Sequence, residues 1–193
     1  EIAADKSELL IGLLARLDPV KGHEYAIGAL ATLKELPVKF RLVAAGYENE
    51  RTFAWLKQLA AENGVADRLV CLGLRKDLPD VLAALDIGLI TSVGSEANSR
   101  AALEFMASGK PVVGTSVGVI PEIVHHEEQG FIVEPRNATA TAAALEKLIT
   151  SPLLRQRLGQ SARQSVEANF SLPRFGRVME SVYQKLLPGR NRS

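Results

Sequence analysis

The 193-residue sequence holds one cysteine and no apolar run approaching the length of a membrane span. Cys71 alone excludes an internal disulfide framework and supplies no zinc-ligand spacing. It falls within an apolar run and reads as a small core residue. The longest apolar run near the start, Leu9–Leu14, is soon followed by Arg16, well short of the ~18 residues a membrane-spanning helix requires. There is no signal-peptide pattern. Charge of one sign is also lacking: 23 Lys and Arg face 22 Asp and Glu, a net charge of +1. That excludes the broad basic field that holds nucleic acid by its phosphates, and the basic tail Gly189–Ser193 is too short to act as a binding arm. No G-x-G-x-x-G follows the first predicted strand, which argues against a nicotinamide site. There is no Ser-His-Asp pattern and no C-x-x-C. No Asp-x-Asp metal motif occurs, and His23, His125 and His126 are not spaced to chelate a metal with a nearby acid, so no metal is expected. Internal repeats and low-complexity linkers are absent, and Ser151-Pro152 does not read as a domain boundary. The sequence opens at Glu1 rather than at a methionine, which suggests a piece of a longer protein.

What is present suits one globular domain. Hydrophobic residues make up 47% and charged residues 23% of the sequence, enough for a sizeable core under an ordinary soluble surface. Short continuous apolar runs alternate with stretches of helical periodicity. Leu9–Leu17, Phe40–Ala45, Leu69–Leu72, Ile87–Thr91, Val112–Thr115 and Gly130–Val133 read as strands buried on both faces. Between and after them, Lys21–Leu36, Glu50–Asn63, Asp77–Leu85 (capped by Asp77), a helix beginning near Asn98, Glu122–His125, Thr139–Ile149, Pro152–Glu167 and Leu172–Leu187 read as helices. This alternation predicts an α/β fold: a doubly wound, Rossmann-like parallel sheet of about six strands with helices on both faces. Ligands of such folds sit beyond the carboxyl ends of the strands. Those ends are Arg16–Lys21, Gly46-Tyr47, Gly73–Lys76, Ser92–Arg100 and Ser116–Val119.

The richest stretch is Gly94–Val113, GSEANSRAALEFMASGKPVV, with Glu96 and Glu104 eight positions apart. From Ala101 to Ala107 every residue is apolar except Glu104, so Glu104 is expected as a carboxylate on an otherwise buried helix, where it needs a hydrogen-bonding partner. Arg16 and Lys21 after one strand, with a free helix N-terminus after another, make an anion site suited to a diphosphate. A carboxylate further along that helix suits the hydroxyls of a ribose or sugar. Plainer readings remain open. Glu96, Arg100 and Glu104 could be an intrahelical charge ladder, Arg16 and Lys21 solvated loop charges, and Ser99 or Asn98 simply a helix cap.

In order along the chain, ARLDPVKG (Ala15–Gly22), LVAAG (Leu42–Gly46), LVCLG (Leu69–Gly73), SEANSRAALEFMASGKPVVGTSVGVIPEIV (Ser95–Val124) and EEQGFIVEPRN (Glu127–Asn137) resemble the family 4 glycosyltransferases. The resemblance runs from about Leu9 to the last helix. Those are retaining, nucleotide-sugar-dependent enzymes of the two-domain GT-B fold, and only the second, donor-binding domain resembles this chain. The resemblance implies that residues 1–193 form one donor-binding domain, with 172–193 a C-terminal helix packing toward an N-terminal acceptor domain outside this sequence. It implies that Arg16 and Lys21 bind the donor diphosphate, that Glu96 contacts the sugar, and that Glu104 accepts bonds from the nucleotide ribose. The stretch Asn98-Ser99-Arg100 would hold sugar and phosphate, Leu74 and Arg75 would lie near the base, and Gly46 would also bind the donor. Arg16, Lys21 and Glu96 would carry the chemistry. No cofactor is implied beyond a UDP-, GDP- or ADP-linked sugar donor. The acceptor would be a glycan or lipid-linked glycan, in cell-envelope polysaccharide or lipopolysaccharide synthesis. The enzyme would be cytoplasmic, with peripheral association at the inner membrane face. A non-catalytic domain of this fold, or a nucleotide-sugar epimerase, are the other readings. The chain departs from the common pattern in having Asn98, Ser99 and Arg100 where many members carry an aromatic, Gly and an aliphatic residue, and Ala15 where Gly is frequent.

Overall fold

The computed structural model describes residues 8–187, so the Glu1 start and the basic tail Gly189–Ser193 lie outside the described residues. The strands are β1 (Leu9–Leu14), β2 (Phe40–Ala45), β3 (Leu69–Gly73), β4 (Ile87–Ile90), β5 (Val112–Thr115) and β6 (Gly130–Val133). They form one parallel sheet in the order β3-β2-β1-β4-β5-β6, the doubly wound order with its switch point between β1 and β4. The helices are α1 (His23–Thr32), α2 (Phe53–Glu62), α3 (Leu78–Ala84), α4 (Arg100–Ala107), α5 (Ile120–Ile123), α6 (Ala138–Thr150), α7 (Pro152–Asn169) and α8 (Leu172–Leu186).

Because successive strand side chains point to opposite faces, each strand feeds two cores. Ile11, Leu13, Leu42, Ala44, Ile87, Leu89 and Val113 pack with α1, α2 and α6, whereas Leu10, Val43, Ile90 and Val112 pack with α3, α4 and α5. On the second face Gly12 leaves room for the Leu85 side chain, which a Cβ would meet at 2.2 Å, and Gly88 leaves room for the Phe105 ring, which a Cβ there would strike. That close seat fixes α4 over the switch point, where its N-terminus opens on the site.

Several boundaries differ from the sequence reading. The first strand ends at Leu14 instead of Leu17, because β2 stops at Ala45 and the Gly46 amide turns to the Gly73 carbonyl. Leu17 stays fully buried but joins Glu48 only as an isolated bridge. A short 3-10 turn, Pro19–Lys21, then precedes α1, which begins at His23 and ends at Thr32. The short helix after Gly118 lies at Ile120–Ile123, with Pro121 in its first turn, rather than at Glu122–His125. Asp77 sits at the N-cap position of α3 without capping it, because its carboxylate is taken by Arg75 in a two-point contact at 2.8 and 2.5 Å. Helix α8 is amphipathic, yet none of its residues is buried, and Leu172, Phe175, Val178, Val182, Tyr183 and Leu186 are exposed.

Candidate functional site

Two adjoining hollows lie at the carboxyl ends of β1, β2, β3 and β4. One, of about 180 Å³, is lined by Lys21, Ser92, Glu96, Ser99 and Arg100 over a floor of Leu13, Leu14 and Ile90. The other, of about 220 Å³, is lined by Arg16, Gly46, Tyr47, Leu74 and Arg75. Leu14 and Ala15 belong to both. Each falls below the roughly 300–1,000 Å³ of a drug-sized ligand site, and together they form one crevice that runs across the switch point.

The first hollow is organised around Glu96. Its carboxylate is 8% exposed and pairs with the Lys21 ammonium, 75 residues away in sequence. The Ser92 hydroxyl donates to the same oxygen, Oε1, at 2.5 Å. Close backbone approaches hold both partners. A Cβ at Gly22 would fall on the Thr91 carbonyl, and a Cβ at Gly118 on the carbonyl of Glu96 itself. Both glycines have positive φ (63° and 54°), a conformation costly for other residues. The Val119 amide donates to the Glu96 carbonyl at 2.9 Å, and the Thr91 hydroxyl donates to the Lys21 carbonyl at 3.0 Å.

Asp18, 8% exposed, shapes the turn that presents both basic residues. It accepts from the Val20 amide at 3.0 Å, from Arg16 Nε at 3.0 Å and from Asn49 at 3.2 Å. The Val20 N–H and then the Arg16 charge hold its carboxyl below the usual range, against the opposing effect of burial. Arg16 is raised above its ordinary value, first by a hydrogen bond with Tyr47 and then by the Asp18 charge. Next in sequence to Gly22, His23 is buried with no hydrogen bond to either ring nitrogen. Burial, then the neighbouring Lys21 charge, lowers its pKa to about 4, with Asp18 acting the other way, so it is neutral at pH 7.

Ser99 occupies the N-cap position of α4 with a left-handed backbone (φ 38°). It is not a side-chain cap. Its hydroxyl is buried and lacks a hydrogen-bond partner, although such a group ordinarily finds one, and it lines the hollow beside Glu96. Asn98 is exposed and lines neither hollow. Glu104 is likewise outside both linings, and the expectation of a carboxylate on a wholly buried helix does not hold. Helix α4 buries one face only (Ala102, Phe105 and Met106), and the Glu104 side chain is 28% exposed and bonded to Arg100 at 3.2 Å. The charge ladder is therefore half realised: Arg100–Glu104 forms it, while Glu96 precedes the helix and pairs across the fold.

Every basic residue expected at the site is already matched with an acid: Arg16 with Asp18, Lys21 with Glu96, Arg75 with Asp77 and Arg100 with Glu104. An anionic ligand entering the crevice either shares these donors or exchanges with the carboxylates. Sequence reasoning did not single out Asp18, Ser92 or Tyr47. Ser92 falls in the strand-end segment Ser92–Arg100, which was the available signal. Among the described residues no three His, Cys, Asp or Glu side chains group as metal ligands, and no helix is long and apolar enough to cross a membrane.

The comparisons with known proteins identify the family. Residues 1–165 match the family model for glycosyl transferases group 1. The N-acetyl-alpha-D-glucosaminyl L-malate synthase of Bacillus anthracis is 29% identical over 188 residues, which cover 97% of this chain and 48% of that protein. Among solved structures, the Anabaena protein HepE in complex with UDP superposes with a TM-score of 0.84 at 26% identity, over 92% of this chain and 49% of the other. The C-terminal domain of a glycosyl transferase group 1 family protein (LpcC) from Francisella tularensis superposes with a TM-score of 0.76 at 28% identity, over 85% of this chain and 87% of that domain. The chain thus spans about half the length of the curated relatives it matches, and its Rossmann-like sheet is one half of a GT-B fold. With its strand order and its sequence in agreement, the chain belongs to the group 1 glycosyl transferases.

Proposed function

We propose that this chain is the donor-binding domain of a retaining glycosyltransferase of the family 4 kind, which moves a sugar from a nucleoside diphosphate to a hydroxyl acceptor. The observation that carries the reading is the meeting of Lys21, Glu96 and the N-terminus of α4 around one hollow at the switch point. The difficult part of such a transfer is charge building on the leaving diphosphate. Arg16, Lys21 and the unpaired amides at Asn98–Arg100 are the groups to stabilise it, through fixed electrostatics. Glu96 orients the sugar, and Glu104, freed from Arg100, accepts from the ribose. Gly46, Leu74 and Arg75 bound the second hollow, which takes the base. UDP, GDP and ADP are the candidate carriers, and the UDP complex of the Anabaena relative favours the first.

The acceptor, a glycan or lipid-linked glycan, and the groups that position it belong to a preceding domain, in keeping with the halved length relative to curated relatives. The apolar face of α8, with Leu172, Phe175, Val178, Val182 and Leu186, packs toward that domain. Cell-envelope polysaccharide or lipopolysaccharide synthesis, at the cytoplasmic face of a membrane, is the setting we assign. Calorimetry with UDP, GDP and ADP tests the site. The chain binds one of them, and Arg16→Ala and Glu104→Ala each weaken that binding by roughly tenfold or more, as expected for loss of a charged hydrogen bond. Wild-type affinity in both variants would sink the assignment.

A further inference from the structure

Glu96 Oε1 accepts two bonds at once, one from Lys21 and one from Ser92. The two donors differ in how firmly they are held. Lys21 carries its charge on a flexible four-carbon stem, retains 18% side-chain exposure and lines the hollow, so a diphosphate can draw it away. Ser92 is 1% exposed at the end of β4, and its hydroxyl turns on a single torsion. Its backbone is fixed from two sides: the Thr115 hydroxyl donates to the Ser92 carbonyl at 2.6 Å, and the next amide, Val93, donates to the Val20 carbonyl at 2.8 Å. The Glu96 main chain is fixed too, by the Val119 amide and the close pass of Gly118. What remains free is the Glu96 side chain, a mostly buried carboxylate that on losing its cation keeps one protein donor of known position. A buried carboxylate without a fixed donor is costly and reorients.

We propose that Ser92 is the positioning residue of the site. When the donor diphosphate takes Lys21, the Ser92 hydroxyl retains Oε1 of Glu96, which leaves Oε2 to accept from a hydroxyl of the donor sugar. The proposal rests on the donor-binding reading above and adds an order to it: the diphosphate breaks the Lys21–Glu96 pair, and only then does Glu96 serve the sugar. Ser92 acts through Glu96, its hydroxyl already committed to Oε1, so its loss has a distinct signature. A merely structural serine would affect every ligand alike.

The test is calorimetric titration of the chain with UDP, GDP and ADP and with their common sugar conjugates, using the best-bound nucleotide and its best-bound conjugate. Thermal unfolding of each variant confirms that it is folded. In Ser92→Ala the free diphosphate binds within about twofold of wild type, while the sugar conjugate weakens about five- to tenfold, the size of one lost hydrogen bond. Ser92→Thr, which keeps a hydroxyl, restores the conjugate. In a Glu96→Ala background, which removes the acceptor of the Ser92 hydroxyl, the same Ser92→Ala change costs nothing further. Equal losses for diphosphate and conjugate, unchanged binding of both, or additive losses with Glu96→Ala would overturn the role of Ser92. Failure of wild type to bind any of the three diphosphates would overturn the donor-binding reading itself, and is distinguishable because no variant is needed to see it.

Discussion

The two ends of the sheet use most of their charged residues in opposite ways, the Glu8–Arg41 pair at the amino ends of β1 and β2 being the exception. At the amino ends of β4 and β5, charge is spent on the backbone. Asp86 accepts from the Leu10 amide at 2.8 Å, Lys110 donates to the Ala83 carbonyl at 3.1 Å, and Arg155 donates to the carbonyls of Leu148 and Ile149 at 2.5 and 3.0 Å. Burial lowers both Lys110 and Arg155 from their ordinary values, with Asp86 opposing. At the carboxyl ends, side chains bond one another: Arg16 with Asp18, Lys21 with Glu96, Arg75 with Asp77, Arg100 with Glu104. A charge bonded to backbone cannot leave without opening the fold. A charge bonded to another side chain can exchange that partner for a ligand. The difference separates groups that hold the domain together from groups that await a substrate, and the unpartnered Ser99 hydroxyl lies at the exchangeable end.

The largest expected effect is at the carboxyl end. Lys21→Ala removes the movable cation and weakens nucleoside diphosphate binding by roughly thirtyfold or more, since truncating one member of a buried charged pair costs roughly 2–5 kcal/mol. Isothermal calorimetry reads it directly. Next comes the pH dependence set by His23. Its pKa is about 4 in the folded chain and 6.5 as the reference value, so between those values the unfolded chain binds more protons than the folded one. Stability is therefore fully present above pH 6.5 and is lost as pH falls toward 4, by roughly 3 kcal/mol at most. Urea unfolding across that window shows the slope, and His23→Leu flattens it.

Asp86→Ala is the counterpart at the amino end. It leaves the Leu10 amide unpaired and lowers stability by about 1–3 kcal/mol, while diphosphate affinity of the folded chain stays unchanged. A lost affinity there would blur the division between the two ends. The smallest effect is that of Arg100→Ala on unfolding. Arg100 and Glu104 are an i,i+4 pair with side chains 84% and 28% exposed, and such pairs contribute roughly 0.2–0.5 kcal/mol.

Much of this division is visible in the sequence, but unevenly. The buried strands show as continuous apolar runs, because a doubly covered parallel sheet leaves no polar face. Their order along the chain locates the carboxyl ends, and hence Arg16, Lys21, Gly46, Leu74, Arg75, Glu96 and Ser99. What the sequence does not show is pairing across distance. Lys21 and Glu96 lie 75 positions apart, and only the β1–β4 adjacency at the switch point brings them together. Ser92 lies only four positions before Glu96, but in an irregular loop after β4, where no helical or strand period signals that the two meet. Local propensity misled at Asp77, where a nearby arginine outcompeted the helix amides, and at Glu104, where the apolar letters around it include residues that are only partly covered. Ser99 has a cap residue's identity and position, but its left-handed backbone comes with no capping bond.

The ligand-induced shift in unfolding temperature, measured with a saturating nucleoside diphosphate on wild type, Lys21→Ala and Asp86→Ala, tests the division most directly. Binding to the folded state alone raises the midpoint by mass action. The shift should be present in wild type, preserved in Asp86→Ala despite its lower starting stability, and clearly smaller in Lys21→Ala. A shift of wild-type size in Lys21→Ala, or its loss in Asp86→Ala, would contradict the assignment of the carboxyl-end pairs to ligand exchange.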